Sequence, residues 1–333
     1  MKSQRRATHV AIVIMLALMS PGLMLTSCQK SQSGLRIAEQ FGLAYAPVTI
    51  ARELGFMESA LKDAGLPDKV EWLRLGNTAT IREAALAGNV DAAFIGIPPY
   101  LISKAGGMTW RIAAGLNQSP NALVSNSERI HGLGDFRPSD RIVVPQPGSI
   151  QHILLAMGAD RLLGDAKRFD NQLVTMSHPD GMQALLAGKE IVAHFTSSPY
   201  LALELKQPGV HQIIDGQTCF GGPFTFIVTV ATDKLAQTRP RVYKAFMVGL
   251  RKGMDYVRDH PDESARILAP LYSMDVDTVR ALLGEQGNEY GTAVVGLERF
   301  VDFMKKTGYL PGKFSYGDEL YWDPAVAREG DGK

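Results

Sequence analysis

Residues 84–101 read Ala-Ala-Leu-Ala-Gly-Asn-Val-Asp-Ala-Ala-Phe-Ile-Gly-Ile-Pro-Pro-Tyr-Leu. One hundred positions on, residues 184–201 read Ala-Leu-Leu-Ala-Gly-Lys-Glu-Ile-Val-Ala-His-Phe-Thr-Ser-Ser-Pro-Tyr-Leu. Leu86, Ala87, Gly88, Ala93, Pro99, Tyr100 and Leu101 return as Leu186, Ala187, Gly188, Ala193, Pro199, Tyr200 and Leu201 without a gap. Each copy has one grammar: a helix stops at glycine, a short buried strand follows, and a Pro-Tyr segment opens the next helix. A repeated supersecondary unit points to two similar lobes rather than to chance agreement of two helix–strand units. The flanking chain alternates strand and helix, the mark of an α/β layer fold.

A chain of 333 residues has room for two such lobes. Its 45% hydrophobic and 21% charged composition is that of a globular protein. A net charge of +1 gives no general attraction to nucleic acid. The N-terminus reads as an export signal. Lys2, Arg5 and Arg6 precede an apolar run from Val10 to Met19, and Leu25-Thr26-Ser27-Cys28 resembles a bacterial lipobox. Residues 1–27 are read as the signal peptide, Cys28 as the lipidated residue and 28–33 as a polar tether. Removing residues 1–27 takes away three basic and no acidic residues, turning the formal charge from +1 to −2. Only Cys219 then remains as a thiol, so no intramolecular disulfide is expected.

The order of several short motifs resembles the bacterial solute-binding proteins of ABC importers, in the branch for nitrate, taurine, aliphatic sulfonates and pyrimidine precursors. The motifs are Tyr45-Ala46-Pro47 followed by Arg52-Glu53-Leu54-Gly55-Phe56, then Ala87-Gly88 leading to Asp91-Ala92-Ala93. Pro147-Gly148-Ser149 with Gln151-His152, the second Ala187-Gly188 and Pro261-Asp262-Glu263 complete the set. The second copy departs from the family pattern, with Ile191-Val192 where the first has Asp91-Ala92. The resemblance implies a two-lobed, type 2 periplasmic-binding-protein-like α/β fold with a ligand cleft between lobes joined by two crossover strands. Lobe one would hold 34–122, lobe two 123–225, and 226–333 would return to lobe one with the C-terminal helices. It also implies an exported, membrane-anchored monomer facing the periplasm or cell exterior, partnered by an ABC permease and ATPase, without cofactor, metal or catalysis. An enzyme on the same fold and a signalling co-receptor are the alternatives.

In open α/β sheets ligands sit beyond the carboxyl ends of strands, where helix N-termini also point. The candidate ligand contacts are therefore Tyr45, Ala46, Asn77, Thr78, Gly96, Ile97, Ser149, Gln151, His152, Thr196, Ser197, Ser198 and Phe220. Capping competes with ligand contact at Ser149, Asn77 and the 196–198 run. His194, inside a strand, reads as a core histidine. The stretches that carry these residues contain no Lys or Arg, which favours a small anion or a neutral polar heterocycle over a multiply charged ligand.

Overall fold

A computed structural model describes residues 34–40 and 42–325. The segments read as export signal and tether, with Cys28, lie outside these residues, as does the tail from 326. No helix among the described residues is long and apolar enough to cross a membrane.

Among the described residues eleven strands form two sheets. They are β1 (Leu35–Glu39), β2 (Val70–Arg74), β3 (Ala92–Gly96), β4 (Arg111–Gln118), β5 (Asn121–Ser125) and β6 (Arg141–Val144). There follow β7 (Leu173–Thr175), β8 (Ile191–Ser197), β9 (His211–Asp215), β10 (Ile227–Ala231) and β11 (Glu289–Tyr290). One sheet has the order β11-β4-β10-β3-β1-β2 and the other β7-β6-β8-β5-β9. The chain leaves the first sheet between β4 and β5. It returns at β10, which lies antiparallel between β3 and β4. In the second sheet β5 lies antiparallel between β8 and β9, so each sheet is parallel at one end and receives a reversed strand.

The two repeated units supply corresponding strands, β3 and β8, one to each sheet. Beyond the strand they diverge. In the first copy helix Ile97–Ala105 starts before the prolines, which its first turn accepts because no N–H is needed there. In the second copy the Ser198–Pro199 bond is cis and the helix begins only at Tyr200. Asp91 is fully buried and takes hydrogen bonds from Arg36 N (3.0 Å) and Arg36 Nη2 (3.1 Å), with Arg239 Nη1 at 3.3 Å. Its counterpart Ile191 packs instead into a small apolar cluster with Val143, Leu185 and Leu201. The departure from the family pattern thus exchanges an ion-pair anchor for an apolar one.

Helix Pro240–Asp259 packs on helices Ala46–Glu53 and Phe56–Asp63 beside the first sheet. Gly249 and Gly253 let it approach. A Cβ at 249 would lie 2.6 Å from Met57 Sδ, and one at 253 would lie 2.3 Å from Pro47 O. The last long helix, Leu297–Lys306, makes contacts on two sides. It touches helix Ile97–Ala105 on one side. On the other, the Phe300 ring lies tilted against Phe220 at 4.7 Å between centroids, Lys306 pairs with Asp160, and Arg299 donates to the Phe220 and Gly221 carbonyls.

Candidate functional site

Five helix N-caps converge on one cleft between the sheets. Tyr45, Asn77, Gly96, Ser149 and Ser177 cap helices Ala46–Glu53, Thr78–Leu86, Ile97–Ala105, Ile150–Leu163 and His178–Ala187, and all five line it. Each cap follows a strand end or a short connection from one, so the α/β alternation itself brings these helix starts together. A helix start carries unpaired N–H groups and the positive end of the helix dipole. The cleft is narrow. It holds about 620 Å³ of space between atoms, mouth included, of which only about 50 Å³ admits the centre of a water molecule.

The lining contains no Lys, Arg, Asp or Glu. Its polar groups are largely donors once internal bonds are assigned. Asn77 Oδ1 accepts from Thr80 N at 3.0 Å, leaving its Nδ2 without another partner among the described residues. Gln146 Oε1 accepts from Ala79 N at 3.3 Å across the cleft, which leaves its amide nitrogen in the same condition. Ser149 Oγ accepts from His152 N at 3.3 Å, so its hydroxyl proton remains to donate. Tyr45 is buried and forms no side-chain hydrogen bond among the described residues; burial raises its pKa, keeping it a phenol. His178 is held neutral, its pKa lowered to about 3 by burial and by neighbouring His194. Pro99, Phe226 and Ile227 supply the apolar wall. A second cross-cleft bond runs from Leu43 N to Ser198 O at 3.0 Å.

Of the residues read from sequence, Tyr45, Asn77, Thr78, Gly96, Ser149, Gln151 and Ser197 line the cleft. The others lie elsewhere, each for a local reason. Ala46 and Ile97 open helices whose first side chain turns into the core. His152 sits one turn into its helix. There its Nδ1 accepts from Gly148 N at 2.8 Å, its Nε2 lies 3.0 Å from Asp170 Oδ1, and its ring meets Tyr309 edge-on. Strand alternation turns Thr196 to the face of His194, away from that of Ser197. Ser198 donates to Glu285 at 3.3 Å. Phe220 fills an aromatic cluster with Phe224 and Phe300.

Sequence reasoning missed Gln40, Gly42, Pro145, Ser177, His178, Phe226 and Ile227. A signal existed for one of them: Ser177 precedes Pro179-Asp180, and its Oγ accepts from Asp180 N as an N-cap, the same grammar as Ser149. Gln40 and Phe226 carried none, since each flanks a strand whose partners only the fold reveals. Among the described residues no group of three or more His, Cys, Asp or Glu is placed to hold a metal ion.

Residues 46–264 match the family model described as NMT1/THI5 like. No curated protein matches the sequence significantly. Among solved structures, the alkanesulfonate-binding protein SsuA from Xanthomonas axonopodis pv. citri, bound to MOPS, superimposes with a TM-score of 0.69 at 17% identity. The match covers 84% of this chain and 94% of that one. The periplasmic aliphatic sulphonate binding protein SsuA from Escherichia coli gives 0.67 at 19%, covering 88% and 93%. The periplasmic nitrate-binding protein NrtA from Synechocystis PCC 6803 gives 0.67 at 15%, covering 90% and 86%. At such identities the likeness is one of fold: the chain has the two-lobed periplasmic-binding-protein architecture.

Proposed function

The chain belongs to the NMT1/THI5-like family, and from that premise we propose that it is the solute-binding component of an ABC importer. In this reading it is exported, lipid-anchored through Cys28, and delivers a small monoanion of the sulfonate or nitrate class to a permease and ATPase. Lobes 34–122 and 123–225, with the return from 226, close on the ligand through Tyr45, Asn77, Ser149, Gln151 and Ser197.

The observation that carries the reading is the convergence of five helix N-caps on an uncharged, donor-rich cleft. Dipole ends and neutral donors suit one diffuse negative charge and leave a dianion under-compensated. The names of the sulfonate- and nitrate-binding structural neighbours support the same class. An enzymatic role draws little from the site. Cys219 is buried with its thiol pushed up to about 12, chiefly by burial, so it supplies no thiolate nucleophile at neutral pH.

Calorimetry of the mature protein with methanesulfonate, taurine, nitrate and inorganic phosphate tests the proposal. Saturable binding of at least one monoanion, with phosphate much weaker, is expected. Tight phosphate binding, or preference for an uncharged heterocycle over every monoanion, would refute it.

A further inference from the structure

Behind the cleft wall four side chains form one hydrogen-bonded line. Gln151 Nε2 lies 3.1 Å from His178 Nε2, and His178 Nδ1 lies 3.1 Å from His194 Nε2. His194 Nδ1 lies 2.7 Å from Glu204 Oε1. Thr196 Oγ1 flanks the middle, 3.4 Å from His178 Nδ1. Gln151 and His178 line the cleft, whereas His194 and Glu204 are fully buried and Glu204 Oε2 has no partner.

A neutral imidazole has one donor and one acceptor nitrogen, and an amide has one face of each kind. The line therefore has two self-consistent polarities. With Glu204 as the acid, its O–H donates to His194 Nδ1, His194 Nε2–H donates to His178 Nδ1, and His178 Nε2–H donates to Gln151 Oε1. The Gln151 NH2 then faces the cleft. With Glu204 as the carboxylate every bond reverses, Gln151 Nε2–H donates to His178, and the amide carbonyl faces the cleft. The change releases one proton: Glu204's passes to His194 Nδ1, that on His194 Nε2 passes to His178 Nδ1, and that on His178 Nε2 leaves through the cleft.

We propose that Gln151 sets the ligand polarity of the cleft and that Glu204, through His194 and His178, is the positioning residue that decides whether Gln151 offers an anion a donor or an acceptor. The inference rests on the reading of the cleft as an anion site. Burial pushes Glu204 up to about 8, while both histidines are held down near 3, so Glu204 is the member that titrates above neutrality. Around the line, Asp180 lies exposed on the helix of His178 and Tyr200 stacks on His178 from the helix of Glu204. Arg74 and Asp180 act on Tyr200 in opposite directions. Strand β5 brings no titratable residue to the packing, and β8 brings only His194.

The test is calorimetry of methanesulfonate and nitrate, whose charges do not titrate from about pH 6 to about pH 10. Alongside it, the imidazole nitrogens of the unliganded protein are followed by 15N NMR. For the wild type, affinity is expected to be flat below the Glu204 pKa and to fall about tenfold per pH unit above it, with one proton taken up on binding. Glu204→Gln removes the titrating proton and is expected to leave affinity independent of pH. His178 Nε2 is expected to change from protonated to bare over the same range in the wild type alone. Anion affinity that falls equally in Glu204→Gln, or an unchanged His178 tautomer, would overturn the relay. If neither anion binds at any pH the functional reading fails, while the 15N titration still decides the relay; it does so too if Glu204→Gln fails to fold.

Discussion

Gly96→Ala is the sharpest probe of closure, because it changes one methyl group at the point where the two halves meet. Gly96 ends β3 with φ −67° and ψ 155°, an ordinary extended conformation that alanine adopts without strain. The added Cβ would lie 3.3 Å from Ile150 Cβ and 3.4 Å from Ile150 Cγ2. Ile150 is β-branched, buried and held at the start of its helix, so it cannot swing aside cheaply. Overpacking of this kind costs about 1–2 kcal/mol. The cost falls on the closed form, since Gly96 and Ile150 approach from elements joined to different sheets. It corresponds to ligand affinity weaker by about five- to thirtyfold. Without ligand the melting temperature should hold or rise slightly, because alanine narrows the unfolded ensemble. The assay pairs calorimetry with whichever monoanion binds and a thermal melt of the unliganded protein. Wild-type affinity, or a loss of unliganded stability as large as the loss of affinity, would refute the reasoning.

Other expectations separate scaffold from site. Asp91→Asn should cost about 3 kcal/mol in denaturant unfolding, since it leaves two guanidinium groups beside an uncharged buried partner; a loss below about 1 kcal/mol would remove Asp91 as an anchor. His152→Ala should lower stability by about 2 kcal/mol by orphaning Gly148 N–H and leaving Asp170 Oδ1 with the Tyr309 hydroxyl alone, yet leave the order of ligand preference intact; a changed order would return His152 to the site. The buried titratable groups also shape stability against pH. The folded pKa values of His178 and His194 are depressed, so their contribution is full above about pH 6.5 and is lost as pH falls toward 3, by about 1.4 kcal/mol per unit for each. That of Glu204 is raised, so its contribution is full below its unfolded value and is lost as pH rises toward 8. Together the three place a maximum near pH 6.5, measurable by urea titrations across pH, and Glu204→Gln should flatten the alkaline side.

The doubled stretch, by its spacing and its Ala-Gly and Pro-Tyr-Leu matches, was enough to announce two related α/β units and to locate strand ends and helix starts. That information is local: hydrophobic runs, glycine stops and capping residues act within a few positions. It also sufficed for seven cleft residues, because a residue that caps a helix after a strand lies near the carboxyl edge of a sheet wherever the sheet goes. Tertiary structure decided what each of those side chains does there. Tyr100 and Tyr200 occupy matching places, yet Tyr100 donates to Leu320 O at 2.6 Å while Tyr200 stacks on His178. His152 and Phe220 were drawn into Asp170 and Phe300, partners 18 and 80 positions away that no local pattern specifies. The line from Gln151 to Glu204 joins side chains of three helices and one strand, and only folding brings these four side chains into register. Local sequence sets where the chain turns and caps, whereas the partner of a buried polar group depends on which distant segment packs against it.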